Sequence, residues 1–213
     1  AIAGPRIENY YMYVTPSIYQ PGALKSMKLG GNSNFGASTD VGFGFKWESD
    51  TGFAIASNIV DKNSDSDGIF GKSSTSKWDT QVAYTTDRWH VSATLSDAQE
   101  WTSQAYNATA LAAAMGSTDD TTGYALRAYW RPENTGTATP EVSVGYDTKN
   151  ADNAATGQAK SANSYFVGLT WRDMFQAEDR IGFAVTQPLK VSELQGGGAT
   201  GEVDPFVWEA YYS

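Results

Sequence analysis

Residues 165–191 read YFVGLTWRDMFQAEDRIGFAVTQPLKV, and the order of side chains in this stretch decides the fold. Tyr165, Val167, Leu169 and Trp171 alternate with Phe166, Gly168, Thr170 and Arg172. After the polar run Asp173–Asp179 the alternation resumes, with Ile181, Phe183 and Val185 set against Arg180, Gly182, Ala184 and Thr186. A period of two places each set on one face of a strand, and a short polar break between two such runs predicts a hairpin. One face is apolar throughout, while the other, Phe166 apart, is small or polar.

The same pattern recurs in both directions. Val41, Phe43, Phe45 and Trp47 share a face, as do Phe53, Ile55 and Ile59. Trp78, Thr80, Val82 and Tyr84 follow, then Trp89, Val91, Ala93 and Leu95. Leu126, Ala128 and Trp130 precede Val142, Val144 and Tyr146, and Phe206, Trp208, Ala210 and Tyr212 come last. With the Tyr-rich segment Ile7–Val14, about ten strands are expected. Short turns fall at Glu48–Thr51, around Asp87, at Pro132–Thr139 and at Asp173–Asp179. Long polar loops fall at Thr15–Asp40, Asp61–Ser76, Asp97–Thr122, Thr148–Asn163 and Gln187–Asp204. Short and long alternate, so one end of the sheet carries the turns and the other the loops. That is the layout of an outer-membrane barrel.

The tryptophans point the same way. Trp47, Trp130 and Trp171 each precede a short turn and Trp89 follows one, all on the apolar face. On a barrel they form a belt at one membrane interface, where an amphipathic ring is at home. The expected fold is therefore all-β: a transmembrane, antiparallel, up-and-down β-barrel. The apolar face meets lipid, and closure follows because an open edge would leave backbone groups unpaired in hydrocarbon.

Composition narrows the function. The 213 residues suit one domain, taken as 1–213. With 15 Lys+Arg against 24 Asp+Glu and a net charge of −9, the chain repels phosphate backbones, so nucleic acid is not an expected partner. The absence of Cys and the single His90 remove thiolate metal sites and His-dependent triads. No carboxylate pair converges in a dry cleft by any pattern, so no enzyme, metal or cofactor is expected. Asn63–Gly68 has calcium-loop character but ends on Ser74 instead of Glu, and Gly71-Lys72-Ser73 lacks the first glycine of a phosphate loop.

Facing inward, the sequence places Lys46, Arg131, Arg172 and Arg180 near the short-turn end, with His90 at that level and Arg127 further up. Asp79 and Asp147 lie nearer the long loops, and Tyr129, Glu141 and Glu209 share the wall. Asp61, Asp65, Asp67, Asp119 and Asp120 add an acidic outer mouth above this basic zone. The competing reading pairs Arg127 or Arg131 with Glu141 as wall salt bridges. A constricting loop is expected from Asp97–Thr122, where Tyr106–Met115 has helical character, or from Thr15–Asp40. The function expected is passive diffusion of small hydrophilic solutes or inorganic ions. The alternatives are a soluble β-sandwich that holds carbohydrate on its aromatics, and a barrel with a structural or adhesive role.

Four segments also resemble a known family. GPRIENYYMYVTPSIY (4–19), ALRAYWRPENTGTATPEVSVGYD (125–147), the stretch 165–191 and DPFVWEAYYS (204–213) are similar to parts of cyanobacterial porins of the OprB-type carbohydrate porin family. The resemblance implies a homotrimeric channel in a cyanobacterial outer membrane, with a barrel of 16–18 strands as a whole. Members begin with an S-layer-homology domain and continue past the strand matched by Trp208–Ser213. Neither feature is matched here, so the chain is expected to be the central and late portion of such a barrel.

Overall fold

The computed structural model describes residues 41–61, 75–99, 103–104, 114–115, 120–200 and 206–213. The segment Ile7–Val14, the loop Thr15–Asp40, the Asn63–Gly68 and Gly71–Ser73 motifs, and Asp65, Asp67 and Asp119 lie outside these residues. Eleven strands follow in order: β1 (Val41–Glu48), β2 (Phe53–Asp61), β3 (Ser76–Thr85), β4 (Trp89–Gln99), β5 (Ser103–Gln104), β6 (Ala114–Met115), β7 (Thr121–Trp130), β8 (Glu141–Ala151), β9 (Ala159–Arg172), β10 (Arg180–Leu194) and β11 (Val207–Tyr212). No helix occurs among the described residues.

Nine strands form one antiparallel, up-and-down sheet in the order β1-β2-β3-β4-β7-β8-β9-β10-β11, and β5 pairs only with β6. Every alternating run outside Ile7–Val14 has become a strand of this sheet. Among the described residues no ladder joins β1 to β11, so the sheet has two edges. Of the Tyr106–Met115 run expected to have helical character, 106–113 lie outside the described residues, and Ala114–Met115 form strand β6, paired with Ser103–Gln104. This small hairpin, within the β4–β7 connection, lies against β9.

Two loop boundaries depart from the sequence expectation. Strand β8 runs to Ala151 and β9 begins at Ala159, so the Thr148–Asn163 loop shrinks to seven residues, 152–158. Strand β10 runs on to Leu194, past a register shift between Gln187 and Lys190. Pro188 sits in that shift, where its missing N–H cannot serve the ladder. The extensions hold because Ala151, Ala159, Ala162, Leu189, Val191 and Leu194 bury one another in an apolar cluster. Polar composition hid this local core.

The burial pattern is the inverse of a water-soluble sheet. The polar face is sheltered: Arg127 is 2% exposed, and Asn58, Asp79, Asp147 and Lys149 are likewise buried. The apolar face lies open: Trp47 is 54%, Val91 55% and Leu126 55% exposed. Phe43, Leu95, Val144 and Phe183 are exposed on the same side, and Leu169 is half-buried there.

Glycine makes room inside. At Gly145 a Cβ would meet the Phe166 ring at 2.1 Å, so only the absence of a side chain lets that ring lie flat across β8. The tight β1–β2 turn needs Gly52 (φ +90°), whose carbonyl accepts from the Thr85 amide at 2.8 Å.

The β9–β10 turn is held by its own carboxylates. Asp179 accepts from the amides of Met174 (2.7 Å), Phe175 (3.0 Å) and Gln176 (3.2 Å), and the Tyr212 hydroxyl approaches at 3.4 Å. Shielding by the turn works to raise the Asp179 pKa, but these donors together hold it below the ordinary carboxylate range. Asp173 is depressed too, first by the Thr135 side chain and then by the Glu178 amide. A depressed folded pKa contributes stability at pH above the unfolded value of about 3.9 and loses it as pH falls through the folded value. The amide proton shifts of Met174, Phe175 and Gln176 are therefore expected to titrate together below about pH 4. Asp179→Asn should abolish that titration, and three independent midpoints would show that the carboxylate does not organise the turn.

Candidate functional site

The sheltered polar face is the candidate site. Period-two geometry brings to it all ten residues expected to line a passage: Lys46 from β1, Asp79 from β3, His90 from β4, Arg127 and Tyr129 from β7 with Arg131 just beyond it, Glu141 from β8, Arg172 from β9, Arg180 from β10 and Glu209 from β11. They separate into two groups. Asp79, His90, Arg127, Tyr129 and Glu141 are buried, whereas Lys46, Arg131, Arg172, Arg180 and Glu209 are half-buried.

The buried group is a packed polar network. Arg127 forms an ion pair with Asp147 and donates to the Leu126 carbonyl at 2.8 Å. Its guanidinium carbon lies 5.5 Å from the centroid of the Phe166 ring, a cation–π arrangement. The competing reading of wall salt bridges named Glu141 for Arg127; the ion pair formed is with Asp147, because the register sets Arg127 opposite Gly145 and makes Asp147 its diagonal neighbour. Lys77 and Asp79 pair at 3.1 Å, and Lys149 interacts electrostatically with both across two intervening strands. His90 stacks on Tyr129 at 5.4 Å, with Thr85 Oγ1 2.8 Å from Nδ1 and Ser92 Oγ 3.1 Å from Nε2. Gln81 donates to Thr94 at 2.8 Å.

This arrangement changes the electrostatics expected from sequence. Asp79 and Asp147 are matched by Lys77, Lys149 and Arg127, so on the wall itself these two acids do not stand as uncompensated negative charge, while Asp65, Asp67 and Asp119 of the expected acidic mouth lie outside the described residues. Asp61 is buried at the end of β2, and Asp120 is exposed. Sequence reasoning set Gln81 and Phe166 on the inward face without a partner for either, and missed Lys77 and Lys149. Lys149 continues the inward series Asp147, Lys149, Ala151, and was lost because its neighbourhood reads as loop by composition. Among the described residues no group of three or more His, Asp or Glu side chains converges to hold a metal.

The outer face carries two aromatic tiers. Trp47, Trp89, Trp130 and Trp171 stand at the short-turn end as expected, with Trp89 and Trp130 directly opposite and 6.1 Å apart. Trp171 donates to the Ala138 carbonyl at 2.9 Å. The second tier was not foreseen: Tyr124, Tyr146 and Tyr165 stand on β7, β8 and β9, with Tyr146 opposite Tyr165, and Trp78 on β3. Tyr124 to Trp130 and Tyr165 to Trp171 each span roughly 20 Å of strand. Beyond the tyrosines the outer face turns polar, with Thr122, Thr148, Asn150, Ser161 and Asn163.

Compared with family models, with curated proteins and with solved structures, the chain matches none.

Proposed function

We propose that this chain forms part of the wall of an outer-membrane β-barrel porin, of the cyanobacterial type its segments resemble, through which small hydrophilic solutes or ions diffuse passively. The observation that carries the reading is the inverted sheet: apolar side chains outward between two aromatic tiers, charges sheltered inside. In water, each large apolar side chain left exposed forfeits about 1.5–3 kcal/mol. Over this face the loss is on the order of tens of kcal/mol, against a folding stability of about 5–15 kcal/mol. Lipid removes that loss. A soluble sandwich would instead need a second sheet over the apolar face, and among the described residues the other sheet, β5–β6, has two residues per strand and is too small to provide one. The band of roughly 20 Å along a strand falls somewhat short of the apolar height of about 25 Å typical of such barrels, and the girdle rings extend it at both ends. In lipid the edges at β1 and β11 require partners, so closure by further strands belongs to the reading. The trimer rests on the resemblance alone.

The packed interior favours a second reading, a membrane barrel with a structural or adhesive role and no open passage. Conductance separates the two. The protein extracted from its source membrane and inserted into a planar bilayer under a KCl gradient is expected to give stepwise channels. Silence after verified insertion would select the structural barrel. A protein that stays monodisperse without detergent would overturn both.

A further inference from the structure

A strapped pocket opens at the short-turn end. The β7–β8 connection does not project freely: the Gly136 amide donates to the Arg172 carbonyl at 2.8 Å, Trp171 holds Ala138, and Thr135 bonds the Asp173 carboxylate. Its root is tied to the β3–β4 turn by Arg131 N to Arg88 O at 3.0 Å and Arg88 Nε to Arg131 O at 3.3 Å. Beneath the strap lies a cavity of about 520 Å³. Arg88, Arg131 and Arg172 line it together with Asp87, Glu133 and Glu141, and the strap adds Asn134, Thr135, Thr137 and Thr139.

The charges decide what fits. Arg88 is matched to Glu133 at 3.6 Å, and Arg172 lies beside Asp173. The half-buried Arg131 guanidinium has no carboxylate within ion-pair reach among the described residues. Arginine presents a planar fork suited to a carboxylate. Three carboxylates share the lining, so a multiply charged anion meets repulsion that a monocarboxylate largely escapes. The hydroxyls and the Asn134 amide suit polar groups next to that carboxylate, and the volume lies in the range of small-ligand sites.

We propose that this pocket binds a small polar monocarboxylate, an α-amino or α-hydroxy acid, with its carboxylate on the Arg131 guanidinium. The site does not depend on the membrane reading, because binding is measurable on the folded protein in detergent; if that reading holds, the pocket stands at the inner mouth.

Titration calorimetry with L-glutamine, lactate and inorganic phosphate tests it. Glutamine and lactate are expected to bind saturably, and phosphate more weakly. Arg131→Gln should weaken both carboxylates about tenfold or more, as loss of a charge-assisted bond implies. Asn134→Asp, at an exposed position that leaves the ladder untouched, should weaken them several-fold and guards against a folding defect in the first variant. No saturation by either carboxylate, phosphate binding the tighter, or unchanged affinity in both variants would overturn the proposal.

Discussion

Asp147→Ala is expected to cost about 3–5 kcal/mol of stability. The substitution removes the carboxylate paired with a guanidinium that is 2% exposed and also bonds the Leu126 carbonyl and faces the Phe166 ring, and taking one partner from a buried ion pair is expensive. Asp147→Asn retains an acceptor at the same place and should cost less, about 1–3 kcal/mol. Replacing both partners, Arg127→Met with Asp147→Leu, should recover most of the loss, because neither charge then needs solvation. Denaturant unfolding in detergent reads all three. The magnitude also reports on function. In a water-filled passage this pair would be worth no more than about 1 kcal/mol, as at a surface. A loss of that size for Asp147→Ala would mean that water reaches mid-wall and the interior is open there.

Leu169→Arg carries the second large effect, and where the defect shows separates a lipid-facing from a water-soluble sheet. Leu169 stands on the outer face between Tyr165 and Trp171, opposite Val142 on β8 and Phe183 on β10. If that face meets hydrocarbon, an arginine near the midplane costs about 2–4 kcal/mol and should slow or block insertion. In a soluble sandwich the same face would be covered by a second sheet, and the arginine would instead destabilise the protein in detergent-free buffer, where the parent would be folded. Folding into lipid vesicles, followed by heat-modifiable migration on gels, distinguishes the outcomes. A variant that inserts as the parent does would end the assignment of this face to lipid. Thr148→Arg, above the tyrosine tier, serves as the matched control and should insert normally.

The two effects differ in how visible their causes are in the chain. The face that Leu169 occupies can be read from alternation alone, since each outward residue is two positions from the next whatever the strand pairs with. The second aromatic tier was equally legible, because Tyr124, Tyr146 and Tyr165 each mark the point where outward residues pass from polar to apolar. The partner of Arg127 was not legible. Glu141 and Asp147 lie on the same inward face of the same strand, and only the β7–β8 register, Arg127 opposite Gly145, chooses Asp147.

Loop extents failed for a related reason. Asn150–Gln158 is polar and small, which reads as loop by composition, yet β8 and β9 reach Ala151 and Ala159 because alanines from these two strands bury against Leu189, Val191 and Leu194 of β10. That stabilisation comes from residues 27 to 43 positions away and leaves no local trace.

By itself, then, the sequence determined the all-β class, the nine of about ten expected strands that fall in the described residues and their order of hairpins, the two faces, and the row of tryptophans at the short-turn end, since each follows from side chains a few positions apart. The tertiary structure alone decided which charges neutralise one another, that the inward face is packed with Arg127, Phe166, His90 and Tyr129, and that the β7–β8 connection folds down over a pocket. Those outcomes depend on inter-strand register and on where chain segments distant in sequence come to rest. No residue's own neighbours along the chain carry that information.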